Sequence, residues 1–95
     1  MSMNLNHLAV FHAVAQTGSM TLGAERLDIS EPVVSKQVQE LENVLGVHLF
    51  DRIGHRVHLS QAGELLAGYA RRLFALAPEA EEAMPDLRTV GRQGK

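Results

Sequence analysis

The sequence predicts a mainly α-helical domain with a small two-stranded β wing and a long C-terminal helix. Three observations carry that expectation. Apolar residues recur at three-to-four spacing up to Leu45, the period switches to alternation between Val47 and Leu59, and a heptad-like seam runs from Ala62 to Leu87. The expected division is a body over 1–60, a linker and dimerisation helix over 61–88 and a flexible tail over 89–95. A chain of 95 residues buries only about 60% of its unfolded surface, so a partner subunit would add stability.

The first helix is expected over 5–17, where Leu5, Leu8, Phe11, Val14 and Ala15 form the apolar face and Gly18 caps the C-terminus. Ser19 or Thr21 then opens a short second helix with Ala24 and Leu27 inward. Asp28, Ile29 and Ser30 leave only a three-residue connection. The third helix has a strong start signal: Ser30 as N-cap, Glu31 at the positive end of the dipole, and Pro32 in the first turn, where its missing amide costs little. Val34, Val38, Leu41 and Leu45 fall in one narrow sector, while Pro32, Lys36, Gln39 and Asn43 occupy the opposite one.

After Gly46, the positions Val47, Leu49, Val57 and Leu59 alternate as in strands, with Gly54 at the hairpin tip and Arg52, His55 and Arg56 at or near it. Ser60 caps the last helix. Its seam, Ala62, Leu66, Tyr69, Leu73, Leu76, Ala80, Ala83 and Leu87, alternates four and three and calls for a second helix, most economically from a second copy of the chain. Pro78 and Pro85 are seven apart on the outer face, so kinks there spare the seam; the other reading ends the helix near Ala77.

Composition narrows the function. There is no run of about 20 apolar residues to span a membrane, the N-terminus lacks signal-peptide character, and the absence of cysteine excludes a disulfide framework and fits the cytoplasm. The formal charge of −2 argues on its own against a nucleic-acid binder. Its distribution reverses that argument: Glu79, Glu81, Glu82 and Asp86 lie close together near the C-terminus, and the rest of the chain is net positive.

A short helix, a tight connection and a second helix with a polar outward face make a helix-turn-helix, in which the start of the second helix enters the major groove of DNA. Small side chains near that start let the backbone approach, Ser35 and Gln39 can bond bases or phosphates, and Lys36 neutralises phosphate charge. Arg52 and Arg56 would lie beside it as a wing. His55 and His58 have H-x-x-H spacing, but residues three apart in a strand face opposite ways, so no metal site is expected. No catalytic constellation or cofactor motif is present, and neither an enzyme nor a cofactor is expected.

The ordered series Phe11, Gly18-Ser19, Ala24, Leu27, Ser30, Pro32, Val34-Ser35, Leu41-Glu42, Leu45-Gly46, Leu49-Phe50, Arg52, Leu59-Ser60 and Ala62-Gly63 resembles the N-terminal DNA-binding domain of LysR-type transcriptional regulators over about residues 4–77. The resemblance implies a winged helix-turn-helix with a dimerising linker helix, belonging to a bacterial cytoplasmic, nucleoid-associated regulator. It implies double-stranded DNA with a partly palindromic operator as partner, a homodimer, no membrane, and a small-molecule effector bound only by a further domain outside these 95 residues. The expected recognition-helix contacts are Glu31, Pro32, Val33, Ser35, Lys36 and Gln39, with Arg52, His55 and Arg56 on the wing. Leu66, Tyr69, Leu73, Leu76 and Ala80 are the expected dimerisation residues.

Four positions depart from the family's pattern. Glu31 stands where glutamine is usual, Gly23 and Val33 where alanine or another small residue is common, and His55 where a basic residue is frequent. Three readings of Glu31 stay open: a changed base preference, a lowered affinity with a stabilised helix start, or a helix-dipole acid facing away from the bases. The rival to DNA binding is a winged-helix protein-interaction or dimerisation scaffold, supported by the net acidity and the single lysine of the third helix.

Overall fold

In the computed structural model, which describes residues 2–53 and 56–93, the elements follow in the order α1 Leu5–Thr17, α2 Met20–Leu27, α3 Glu31–Leu45, β1 Phe50–Ile53, β2 Arg56–Leu59 and α4 Gln61–Gln93. The side chains of residues 52, 53, 86 and 88–93 are not described. The fold is the expected one, mostly helical with one antiparallel two-stranded sheet.

Local chemistry sets each boundary. Asn4 Oδ1 accepts from the amides of Asn6 and His7 to start α1, and Gly18, at φ 73°, returns its amide to the Val14 carbonyl to end it. Ser19 caps α2, accepting from Leu22 N–H at 3.2 Å. The connection to α3 is tight because Asp28 takes the left-handed conformation at φ 56° and the Ile29 amide reaches back to the Ala24 carbonyl at 3.1 Å. Ser30 Oγ then accepts from Val33 N–H, with Glu31 and Pro32 in the first turn.

α1 is the central helix, packed against α2, α3 and α4. Leu8 and Phe11 join Leu41, Leu49, Ala67 and Ala70 in one buried cluster, while Val10 and Val14 join Met20, Ala24, Val34 and Val38 in another. Phe50 packs against both, its ring centroid 5.3 Å from that of Phe11. A helix buried on two sides has no single apolar stripe, which corrects the one-face expectation: Val10 and Ala13 are buried, whereas Leu5 in the first turn is 58% exposed. Leu27 is half-buried, and Leu45, expected to dock α3, lies at its C-terminal edge, 36% exposed.

Gly23 sits where α2 packs against Val14 of α1. A Cβ there would stand 2.9 Å from Val14 Cγ2, so glycine fits the valine opposite it.

The strand expected to begin near Val47 begins at Phe50. Val47 is exposed because its amide, like that of Gly46, closes α3 on the Glu42 carbonyl. Leu49 is fully buried and held by two bonds outside the ladder: its amide donates to Glu42 Oε2 at 2.8 Å, and its carbonyl accepts from Ser60 N–H at 3.0 Å. The ladder pairs Phe50 with Leu59 and Ile53 with Arg56.

α4 starts from Ser60, whose Oγ donates to the His48 carbonyl and accepts from Gly63 N–H. Gly63 rests directly on the Leu49 backbone, and a Cβ at that position would overlap the Leu49 carbonyl oxygen. The helix continues through Pro78 and Pro85 to Gln93, so the ending near Ala77 is excluded and the helical backbone passes the boundary expected at residue 88. Both prolines lie on the side away from the exposed apolar line described below, at about 100° per residue.

Candidate nucleic-acid interface

α3 shows one face to the body and one to solvent. Val34, Val38 and Leu41 are buried against α1 and α2, fixing the rotation of the helix about its axis. That rotation leaves Glu31, Pro32, Val33, Lys36 and Gln39 exposed and Ser35 half-buried. Ser35 and Gln39 border an open cleft whose other side is formed by His48 and Phe50 at the entry to the wing. Val33 is 40% exposed, an apolar surface on an otherwise polar face. Lys36 makes no ion pair with any described residue, and its charge is free for an external anion.

Glu31 is not loose. Thr21 Oγ1 donates to Glu31 Oε2 at 3.0 Å, tying the first residue of α3 to the start of α2. Sequence reasoning considered Thr21 only as a cap; no local pattern shows a bond between residues ten apart. Two further contacts brace the helices: Arg26 Nη1 donates to Gln16 Oε1 at 3.0 Å, and His7 Nε2 lies 3.3 Å from Glu40 Oε2.

On the wing, Arg56 and His58 are exposed while Val57 and Leu59 turn inward. Arg56 and His58 border a groove with Thr17, Gly18 and Ser19 of the α1–α2 turn, so this basic edge flanks the start of α2 rather than α3. His55 and the Arg52 side chain lie outside the described residues. Among the described residues, no group of three His, Cys, Asp or Glu side chains is placed to hold a metal, and no helix is long and apolar enough to cross a membrane.

α4 carries two apolar lines. Gly63, Ala67, Ala70 and Phe74 face the body, while Leu65, Tyr69, Leu73, Leu76 and Leu87 fall on another line about 120° round the helix. The second line is free: Leu65 is 67% exposed, Tyr69 58%, Leu76 57% and Leu87 64%. Ala80 is exposed on it as well. Leu66, expected on the dimer seam, is half-buried against the core of its own chain, because the first turns of α4 dock on the body. Leu65 takes the exposed place, which the heptad count missed. The Arg72 guanidinium lies 4.7 Å over the Tyr69 ring beside this line.

Comparison with known proteins agrees with this geometry. Residues 5–64 match the family model described as bacterial regulatory helix-turn-helix protein, lysR family. The chain is 41% identical over 92 residues to a RuBisCO operon transcriptional regulator of Allochromatium vinosum, covering 97% of this chain and 30% of that protein. It is 41% identical over 85 residues to an uncharacterized HTH-type transcriptional regulator of Azotobacter vinelandii, covering 90% of this chain and 59% of that one. The BenM DNA-binding domain in complex with benA site 1 DNA superposes with a TM-score of 0.82 at 32% identity, covering 90% of this chain and 99% of that one. The CbnR DNA-binding domain in its DNA complex gives 0.77 at 36% identity, covering 88% and 97%. The chain thus spans less than a third of the Allochromatium regulator but nearly the whole of each isolated DNA-binding domain. It belongs to the lysR family of bacterial regulatory helix-turn-helix proteins and carries that family's winged helix-turn-helix DNA-binding domain.

Proposed function

We propose that the chain binds double-stranded DNA as a homodimer, on a partly palindromic operator, as the DNA-reading part of a cytoplasmic, nucleoid-associated transcriptional regulator. The observation that carries the reading is the rotation of α3, which buries Val34, Val38 and Leu41 and presents Glu31, Pro32, Val33, Lys36 and Gln39 to solvent. In this reading the start of α3 enters the major groove, and Ser35 and Gln39 contact bases or phosphates. Lys36, Arg52, His55 and Arg56 supply backbone contacts.

The second copy sits on the exposed line of α4, at Tyr69, Leu73, Leu76 and Ala80, with Leu65 added at its near end. Leu66 contributes only its uncovered part. Charge supports an antiparallel arrangement. Arg71 and Arg72 lie toward one end of the line and Glu79, Glu81 and Glu82 toward the other, so antiparallel helices set opposite charges together and parallel ones stack acids on acids. Any small-molecule effector would bind a domain beyond these residues.

The test is a salt titration of binding to fragmented genomic DNA. Affinity should fall steeply and linearly on a log–log scale as salt rises, because phosphate neutralisation releases counterions. Failure to bind any DNA at low salt would leave the winged domain as a protein-interaction scaffold.

A further inference from the structure

We propose that Glu31, held by Thr21, selects a cytosine in each operator half-site; the proposal rests on the DNA-binding reading above and gives it a base identity. Glu31 opens α3 on its exposed side, where a helix entering the major groove meets base edges. One carboxylate oxygen is committed, since Oε2 accepts from Thr21 Oγ1 at 3.0 Å. Oε1 has no hydrogen-bond partner among the described residues, and no described cation pairs with the group.

A carboxylate only accepts, so its partner must be a donor. In the major groove guanine presents N7 and O6 and thymine presents O4, all acceptors that repel it. Adenine offers the N6 amino group but places the N7 acceptor beside it. Cytosine offers the N4 amino group with a C–H on its own ring side and only the paired guanine's O6 on the other. Adenine N6 lies between two acceptors, its own N7 and the paired thymine's O4, so cytosine meets the free oxygen with the least repulsion.

Thr21 is a positioning residue in this scheme. A glutamate side chain has several rotatable bonds, and an acceptor swinging through them would not discriminate one base from the next. The hydroxyl reaching from α2 fixes the carboxylate to the helix-turn-helix frame, so that the free oxygen keeps one place relative to the groove.

The experiment selects binding sites from a randomised duplex pool with the 95-residue chain and with Glu31→Gln, Thr21→Val and Thr21→Ser, with thermal melting measured in parallel. The parent should prefer cytosine at one position per half-site by about tenfold over the other bases. Glu31→Gln, whose amide both donates and accepts, should move that preference to adenine at the same position. Thr21→Val should keep the parent's melting temperature and reduce the cytosine preference to about twofold or threefold, while Thr21→Ser, which retains the hydroxyl, should restore it. DNA binding with the parent's base preference in both Glu31→Gln and Thr21→Val overturns the proposal and leaves the DNA-binding reading standing. Enrichment of no DNA by the parent overturns both.

Discussion

The two halves of α4 are built from similar residues and meet opposite fates. From Gly63 to Phe74 the helix is fitted to the body so closely that Gly63 touches the Leu49 backbone and Ala67 and Ala70 are buried. Beyond Phe74 the described side chains are all exposed, although Leu76, Met84 and Leu87 are as apolar as anything in the core. The near half derives its stability from its own chain. The far half finds no cover among the described residues of its own chain, and its exposed Leu76, with Tyr69 and Leu73 before it, forms the surface that the proposed second copy would bury.

That contrast is sharpest at two positions. Gly63→Ala places a methyl on a backbone carbonyl that Ser60 also holds, so relief requires lifting the whole helix start; a loss of about 3 kcal/mol is expected. Thermal denaturation followed by circular dichroism should show the body itself melting earlier. If Gly63→Ala melts like the parent, the near half is not fitted as described. Leu76→Glu should leave that melting intact in dilute protein and abolish the dimer in sedimentation. Affinity for a two-half-site duplex should fall by about a hundredfold, because linkage between the two reading heads is lost. Unfolding of the body by Leu76→Glu would break the distinction between the halves.

A smaller effect is expected on the reading face. Lys36→Ala should reduce the salt slope of DNA binding by about one per chain, with affinity lowered uniformly across sequences. An unchanged slope would remove Lys36 from the phosphate contacts.

The smallest effect concerns the near half of α4 again, where the His12 ring lies 5.2 Å from that of Phe74. Burial, and after it the positive charges of Arg26 and Arg71, lower the pKa of His12 below its ordinary 6.5. The unfolded chain therefore takes up the proton first as the pH falls through 6.5, so this contribution is complete above that pH and declines below it. Melting temperatures near pH 7.5 and pH 5 should differ less in His12→Gln than in the parent. An equal difference in both would mean that His12 does not report the packing of α4 on α1.

Much of this architecture is legible in the chain because its boundaries are local. Gly18 and Gly46 in the left-handed conformation, and Ser30 and Ser60 as caps, are one-residue decisions taken by backbone chemistry and lie where the sequence places them, while Ser19 is the one of the two candidates, Ser19 and Thr21, that caps α2. What periodicity does not show is which of two neighbouring apolar residues a tertiary contact claims. Leu65 and Leu66 are indistinguishable by composition, and only the seat of α4 on Leu49 and Leu59 turns one outward and the other against the core. Val47 fails as a strand residue for a related reason: its amide finishes α3 before any ladder can begin. The tie between Thr21 and Glu31 joins two helices and has no trace in either one alone.

In the proposed assembly two copies of the chain, joined along the exposed line of α4 from Leu65 to Ala80, read one operator together. Its most direct measurement is fluorescence anisotropy of a selected duplex carrying either both half-sites or one, repeated over a range of salt. Two copies should bind the two-half-site duplex, at least about a hundredfold more tightly than the single half-site. Log affinity should fall against log salt with a slope of about −5, as Lys36, Arg52 and Arg56 from both copies would give. Equal affinity for the two duplexes, or a binding constant indifferent to salt, would contradict it.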